Sequence, residues 1–394
     1  MKTYDNLLEP SLTPEAVKEC MLDAAKGKLR RKEVLKAFKY FDRTYEIITK
    51  CATDPGYFPR EDNRHTICDG TDRKRRTIEK PLFCPEQILH HVLMRPFKRI
   101  LMDGLYEQVY GCLPATVEKG PNGNSYIRKY GPHAAAKRLR KWANGKKTFV
   151  AELDVHHAYD SVDINILEEK LKETIKDDKW LALMDKFIRG PNRKTKGLVL
   201  GHYTSPWLFN FYLKEFDHYA AGLDGVKYLR FADNIFLMGT NKRKVHRAAA
   251  SIKEYLWKHL AFTINRSEQV YRFEYEDRNG RIRGRAINAL GMVIHYNRVT
   301  LRKRILKAIR RKAIRIERKE KVTWYDAASM LSRLSWFNET STKRYYLNHI
   351  KPRIDTRSLK RKVRNHSRLM QPIYKERRRI INDGLEKSAR LAGR

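Results

Sequence analysis

The chain is poor in several things, and each shortage excludes something. Its five cysteines, Cys20, Cys51, Cys68, Cys84 and Cys112, are odd in number, widely spaced and without a C-x-x-C pair, which argues against a disulfide framework and a structural zinc site. No window approaches the ~18 uninterrupted apolar residues that a membrane-spanning helix requires. The start, MKTYDNLLEP, lacks the basic-then-apolar order of a signal peptide. The expectation is therefore a soluble, cytoplasmic chain with no membrane partner. Internal repeats and low-complexity segments are missing as well. Acid is the last shortage: 45 Asp plus Glu face 84 Lys plus Arg, a formal charge of +39.

What is present is a foldable chain with an affinity for polyanions. Its 394 residues suit about two or three domains. With 41% apolar and 11% aromatic residues, it carries too much hydrophobic material for a disordered basic tail.

Residues 1–60 read as helical and then loop-like. The stretch Asp69 to Ile78 (DGTDRKRRTI) reads as a basic loop, and Pro85 opens an apolar-periodic helix through Ile88, Leu89, Val92 and Leu93. Gly111, Gly120, Gly123 and Gly131 punctuate a polar segment without a clear period, and a helix follows over 133–142. From Thr148 to Val155 the β-branched and aromatic pattern predicts a buried strand with a carboxylate, Asp154, at its end. A helix pair over 165–190 comes next. Ser205-Pro206 predicts a helix start, with Ser accepting from free first-turn amides, and the helix is expected to reach Tyr219. Two apolar runs, 226–229 and 235–238, flank Arg230-Phe231-Ala232-Asp233-Asn234, a hairpin whose turn presents a second acid. A helix over 243–259 and an Asn279-Gly280 hairpin of type I′ follow. Helices alternating with strands and hairpins predict an α+β fold. Beyond 301 the chain reads as helical and basic, with Ile305, Ile309, Ala313 and Ile316 forming an apolar stripe.

Two acids at strand ends are candidates to hold divalent cations, because hard cations take carboxylate oxygens and two of them clamp a phosphoryl transfer. The flanking residues carry a family likeness. Leu153 to Asp163 (LDVHHAYDSVD) resembles the first catalytic motif of reverse transcriptases, and Tyr228 to Gly239 (YLRFADNIFLMG) resembles their aromatic-x-Asp-Asp hairpin. Gly197 to Leu213 (GLVLGHYTSPWLFNFYL) is similar to the motif that supports template and incoming nucleotide. Lys74-Arg75-Arg76-Thr77-Ile78 is similar to the K-x-R-x-I element of the fingers, and Leu290 to Ile294 resembles the primer-grip turn.

The resemblance spans roughly residues 70–300 and implies a right-hand polymerase fold with a ferredoxin-like palm sheet and a basic helical thumb. It implies an N-terminal extension over 1–60, fingers and palm over 61–300, and thumb and tail over 301–394. It implies an RNA-directed DNA polymerase using two Mg²⁺ ions, with Mn²⁺ as a substitute. Asp154, Asp233 and the Val155 carbonyl would hold metal, and Lys74 and Arg76 would bind the triphosphate. Tyr159 would pack beneath the sugar and exclude a 2′-hydroxyl, or else be a core aromatic. Leu200 and Gly201 would line the nucleotide site. Ser205, Asn210, Gly291, Arg310, Arg311 and Arg315 would touch nucleic acid. Partners would be an RNA template, a DNA or RNA primer, dNTPs and a small basic accessory protein.

Departures from the family pattern are also visible. Asn234 replaces the second hairpin aspartate, keeping an acceptor but losing a charge. Val199-Leu200 replaces Pro-Gln, leaving Leu200 either loosening base selection or simply packing. After Ile264-Asn265 the expected lysine is missing, with Arg266 as the substitute. His156 and His157, being adjacent, are expected to point to different faces and to hold no metal. The short chain, the apolar residue before Gly201 and Thr204-Ser205 resemble reverse transcriptases of diversity-generating retroelements in bacteria or phages, with retron, group II intron-like and phage-defence relatives as alternatives. A polymerase-shaped RNA-binding protein with lost or residual catalysis is the rival function, and a two-metal nuclease a third.

Overall fold

The computed structural model describes residues 2–60, 64–69, 74–119, 125–128, 130–143, 147–266 and 268–392. Helices α1 (Pro14–Ala25), α2 (Lys32–Lys39) and α3 (Phe41–Thr53) come first, as the helical reading of residues 1–60 expects. The hairpin β1 (Arg64–Asp69) and β2 (Lys74–Glu79) is followed by an irregular turn, Phe83–Gln87, and by α4 (Ile88–Met102). A second hairpin, β3 (Thr116–Lys119) and β4 (Ser125–Arg128), leads to α5 (Pro132–Ala143). The centre comprises β5 (Phe149–Asp154), α6 (Ile164–Thr174), α7 (Asp178–Arg189), α8 (Ser205–Tyr212), α9 (Lys214–Ala221), β6 (Lys227–Phe231), β7 (Asn234–Gly239), α10 (Lys242–Leu260) and β8 (Gln269–Arg272). Short strands β9 (Tyr275–Glu276), β10 (Ile282–Arg283), β11 (Ile287–Ala289), β12 (Met292–Ile294) and β13 (Val299–Leu301) precede α11 (Lys303–Glu317), α12 (Trp324–Leu334), α13 (Lys343–His349) and α14 (Thr356–Ala392). The fold is α+β.

The organising element is a four-stranded antiparallel sheet in the order β6-β7-β5-β8. Successive side chains of a strand face opposite sides, and here both sides are covered. Ala151, Leu153, Ile235 and Leu237 enter one apolar cluster, which they share with α1 to α4 and α6 to α10. Val150, Leu229, Phe236 and Met238 enter the other, with α5, the β11-β12-β13 sheet and the C-terminal helices. Two-sided burial explains why these strands read as continuous apolar runs. The N-terminal helices share the first core through Val17, Met21, Val34, Phe38 and Ile48. Asp177 ties them down, accepting from the amides of Leu7 and Leu8 at 2.7 and 2.8 Å while capping α7 through Trp180 N at 2.9 Å.

Five local expectations need correction. The basic segment 69–78 is hairpin rather than loop, with Asp69 opposite Lys74; residues 70–73 lie outside the described residues. Arg64 to Cys68 are exposed, so no apolar alternation marks β1. The polar segment after Gly111 likewise contains the β3–β4 hairpin, with Gly120 and Gly123 outside the described residues. The helix expected from Ser205 to Tyr219 is broken at Leu213 into α8 and α9. Ser205 does not cap by accepting: its hydroxyl donates to the Val199 carbonyl at 2.6 Å. At Asn279-Gly280 only Gly280 has positive φ, so the turn is not type I′. Positive φ at two successive residues occurs instead at Leu290-Gly291 (57° and 77°), between the paired Ala289 and Met292.

Candidate active site

Asp154 ends β5 directly opposite Asn234, the first residue of β7. The next amide, Val155 N, donates to the Asp233 carbonyl at 3.2 Å, so the two acids the sequence singles out meet at one end of the sheet. Each is oriented by an amide side chain. Asn265 Nδ2 donates to Asp154 Oδ2 at 2.7 Å, and Asn265 N donates to the Asp154 carbonyl at 2.8 Å. Asn234 Nδ2 donates to Asp233 Oδ1 at 3.0 Å, making Asn234 a donor here rather than the acceptor expected. An amide orients a carboxylate without cancelling its charge. Carboxylate oxygens at one edge, with the Val155 backbone beside them, are the hard donors that a Mg²⁺-class cation takes.

The Asp233 turn is fixed from beneath by a buried polar network. Ala232 adopts φ 53°, and its carbonyl accepts from Arg230 at 3.1 Å. Arg230, fully buried, also donates to Asn210 Oδ1 at 3.0 Å and makes two 2.7 Å bonds to the two oxygens of Asp217. Tyr228 completes the set, donating to Asp217 at 2.6 Å. Burial opposes the Arg230 charge, but Asp217 overrides it and holds the guanidinium protonated; burial likewise pushes the Tyr228 phenol well above its ordinary value. Asn210 Nδ2 donates to the Gly111 carbonyl at 3.1 Å. A Cβ on Gly111 would lie 2.2 Å from Ala232 N, so only glycine permits this approach.

The middle motif joins the site to the β1–β2 hairpin. Glu79 N, at the end of β2, donates to the Leu200 carbonyl at 2.7 Å. Gly201, at φ 106°, lies where a Cβ would come within 2.0 Å of the Glu79 carbonyl. Leu200 is half-buried. Tyr159 stacks on Phe209 at 4.9 Å and 15° at the rim of the first core. Burial, and then the neighbouring Cys112, raise its phenol.

The other expected residues are divided in their placement. Arg76 is exposed on β2; Lys74 lies on the same strand face by period two, but its side chain lies outside the described residues. Arg310, Arg311 and Arg315 are exposed on α11, while Ile309, Ala313 and Ile316 are buried beneath. The Gly291 carbonyl accepts from Arg302 N at 3.1 Å. Ser205 and Asn210 are 3% and 1% exposed and hold the loop and the turn through their hydrogen bonds to Val199, Gly111 and Arg230. The two histidines are corrected in geometry, since positive φ at His157 brings their rings to 4.3 Å. Among the described residues no group of three His, Cys, Asp or Glu is placed to hold a metal. Sequence reading missed Asn265 as the partner of Asp154; Arg266, expected in place of the missing lysine, is exposed. It also missed the Arg230–Asp217 pair, whose only signal was two charges inside otherwise apolar segments.

Residues 92–269 match the family model for reverse transcriptase (RNA-dependent DNA polymerase). The chain carries a reverse transcriptase domain. That span includes Asp154, Tyr159, Gly201, Asp233 and Asn265, and the architecture is the right-hand polymerase fold. No curated protein sequence matches the chain. Solved structures similar to it include apo telomerase from Candida tropicalis truncated from the C-terminal domain, at 13% identity and TM-score 0.40, covering 61% of this chain and 54% of that one. Telomerase from Candida albicans in complex with a fragment of telomeric RNA is similar at 10% identity and TM-score 0.43, covering 81% and 59%. Apo telomerase from Candida tropicalis is similar at 10% identity and TM-score 0.41, covering 83% and 62%. This chain thus spans between 54% and 62% of the length of those neighbours.

Proposed function

We propose that the protein is an RNA-directed DNA polymerase. The observation that carries this is the meeting of Asp154 and Asp233 at the edge of the palm sheet, each oriented by an asparagine amide. Divalent cations, Mg²⁺ or Mn²⁺, held by Asp154, Asp233 and the Val155 carbonyl would supply charge neutralisation for attack of a primer 3′-hydroxyl on a dNTP and for departure of pyrophosphate. The chain's own part is placement. Arg230 and Asn210 hold the Asp233 turn, Asn265 holds Asp154, and Gly201 lets the β1–β2 hairpin close on the middle motif. Lys74 and Arg76, on one face of β2, would bind the triphosphate. Tyr159 would sit below the sugar and Leu200 beside the nascent pair. Exposed Arg310, Arg311 and Arg315 would contact phosphates of the primer–template duplex, and Gly291 the primer strand.

Fingers over 61–147 and 165–196, palm over 148–164 and 197–300, and a thumb from 301 follow from this reading. The apolar residue before Gly201 and Thr204-Ser205 support an error-prone enzyme of a diversity-generating retroelement, bacterial or phage-borne, working with a small basic accessory protein. No helix among the described residues is long and apolar enough to cross a membrane. Asn234 favours the rival, an RNA-binding protein without catalysis. Incubating the protein with a primed RNA, dNTPs and Mg²⁺, then with Mn²⁺, separates the two readings: primer extension supports the polymerase, and RNA binding without extension under either metal supports the rival.

A further inference from the structure

Helix α14 is strongly basic over its first half. Residues 356–375 hold seven Lys or Arg and no acid. The helix is anchored along one stripe: Leu359 is buried, His366 stacks on Trp324 of α12 at 4.2 Å and 3°, and Tyr374 accepts from Arg30 at 3.1 Å near the start of α2. Farther along, Ile381 and Leu385 are buried in the first core. That stripe of its apolar side is packed on the protein.

On the opposite side stand Arg357, Arg361, Arg364, Arg368 and Lys375, at successive separations of four, three, four and seven residues. Those separations keep them on one face of a 3.6-residue helix. All five are exposed, and among the described residues none has an ion-pair partner. Like charges three and four residues apart destabilise a helix unless a counter-charge is close. The row is about 27 Å long at 1.5 Å per residue. A membrane surface would require a broad apolar face beside the charge, and beside this row, among the described residues, only Leu369 and Ile373 stand exposed, at 75% and 42%.

We propose that this row is a second docking surface for the RNA phosphate backbone, holding RNA that lies outside the primer–template groove. It depends on the proposed polymerase reading only in naming RNA as the polyanion. Recognition would be sequence-independent, because guanidinium and ammonium groups on phosphates position without reading bases.

The test uses the full chain and a variant with Arg361→Gln, Arg364→Gln, Arg368→Gln and Lys375→Gln, all at exposed positions. Binding is titrated against salt for two probes, a short primer–template and the same primer–template extended by a structured RNA tail. For the tailed probe, the slope of log affinity against log salt should fall by about three to four units in the variant, near 0.9 for each phosphate no longer neutralised. The short probe should bind both proteins alike. An unchanged slope on the tailed probe would overturn the proposal, as would an equal loss on both probes, which would make α14 part of the groove. A variant that keeps RNA binding but no longer binds phosphatidylserine vesicles, when the wild type does, would also overturn it. Binding needs no dNTP, so failure of primer extension in the wild type rejects the polymerase reading and leaves this comparison intact.

Discussion

Two hairpins of this protein carry groups proposed for one reaction, yet they are built in opposite ways. In β6–β7, Tyr228, Leu229 and Arg230 and Ile235 to Met238 are buried, and the Asp233 turn rests on a fully buried arginine–aspartate pair. In β1–β2, Arg64 to Cys68 and Arg75 to Thr77 are exposed. Placing two carboxylates for cations requires fixed geometry, which a low-dielectric polar network supplies. Binding a triphosphate from solution requires long cationic arms, which tolerate an exposed scaffold. The palm hairpin is thus tuned by what lies under it, and the fingers hairpin by what reaches out from it.

Substitution beneath the palm turn should have the greatest consequence. Arg230→Met leaves Asp217 buried without its cation, and removing one partner of such a pair costs about 3–5 kcal/mol. Urea melts should show that loss, whereas Arg76→Ala on the exposed hairpin should stay within about 0.5 kcal/mol of wild type. Equal effects at the two sites would remove the distinction.

How far this was legible in the sequence follows the same division. The strands around Asp154 and Asp233 declare themselves because both faces are apolar, and α11 because Ile309, Ala313 and Ile316 recur at helical spacing. The β1–β2 and β3–β4 hairpins are hidden because exposed strands need no apolar alternation; Val117 and Ile127 are 74% and 63% exposed. Asn265 and Asp217 are invisible for another reason. Their partners, Asp154 and Arg230, lie 111 and 13 residues away in sequence, and no local period reports a side chain that acts across the fold. The Asn279-Gly280 signal misleads because the loop Asp277 to Arg281 closes through the Asp277 side chain, which accepts from the amides of Asn279 and Arg281 at 3.0 and 2.9 Å.

Titration with acid separates the buried α4 from the exposed β1–β2 hairpin. Burial lowers His90 well below the ordinary histidine value and His91, stacked on Tyr203 at 4.0 Å, to about 4. Both lie below the unfolded value near 6.5, so the unfolded chain takes up protons first and stability falls as pH drops from about 6.5 toward 4. Denaturation midpoints across that window should fall, and His91→Gln should flatten the fall. A midpoint independent of pH would reject burial of the neutral rings.

A smaller effect is expected at the sugar. Tyr159→Ala should lower the ratio of deoxynucleotide to ribonucleotide incorporation, with the melting temperature reporting the lost Phe209 stack separately. An unchanged ratio with a lower melting temperature would leave Tyr159 as packing alone.

Above all, the site requires that Asp154 and Asp233 act on cations and not on the nucleic acid. That role is checked by comparing wild type, Asp154→Ala and Asp233→Ala for Mg²⁺-dependent extension of a DNA primer on RNA and for binding of that same primer–template. Both variants should lose extension and bind within about twofold of wild type, because removing a cation ligand leaves the exposed Arg310, Arg311 and Arg315 unaltered. Extension at the wild-type rate by either variant would refute it.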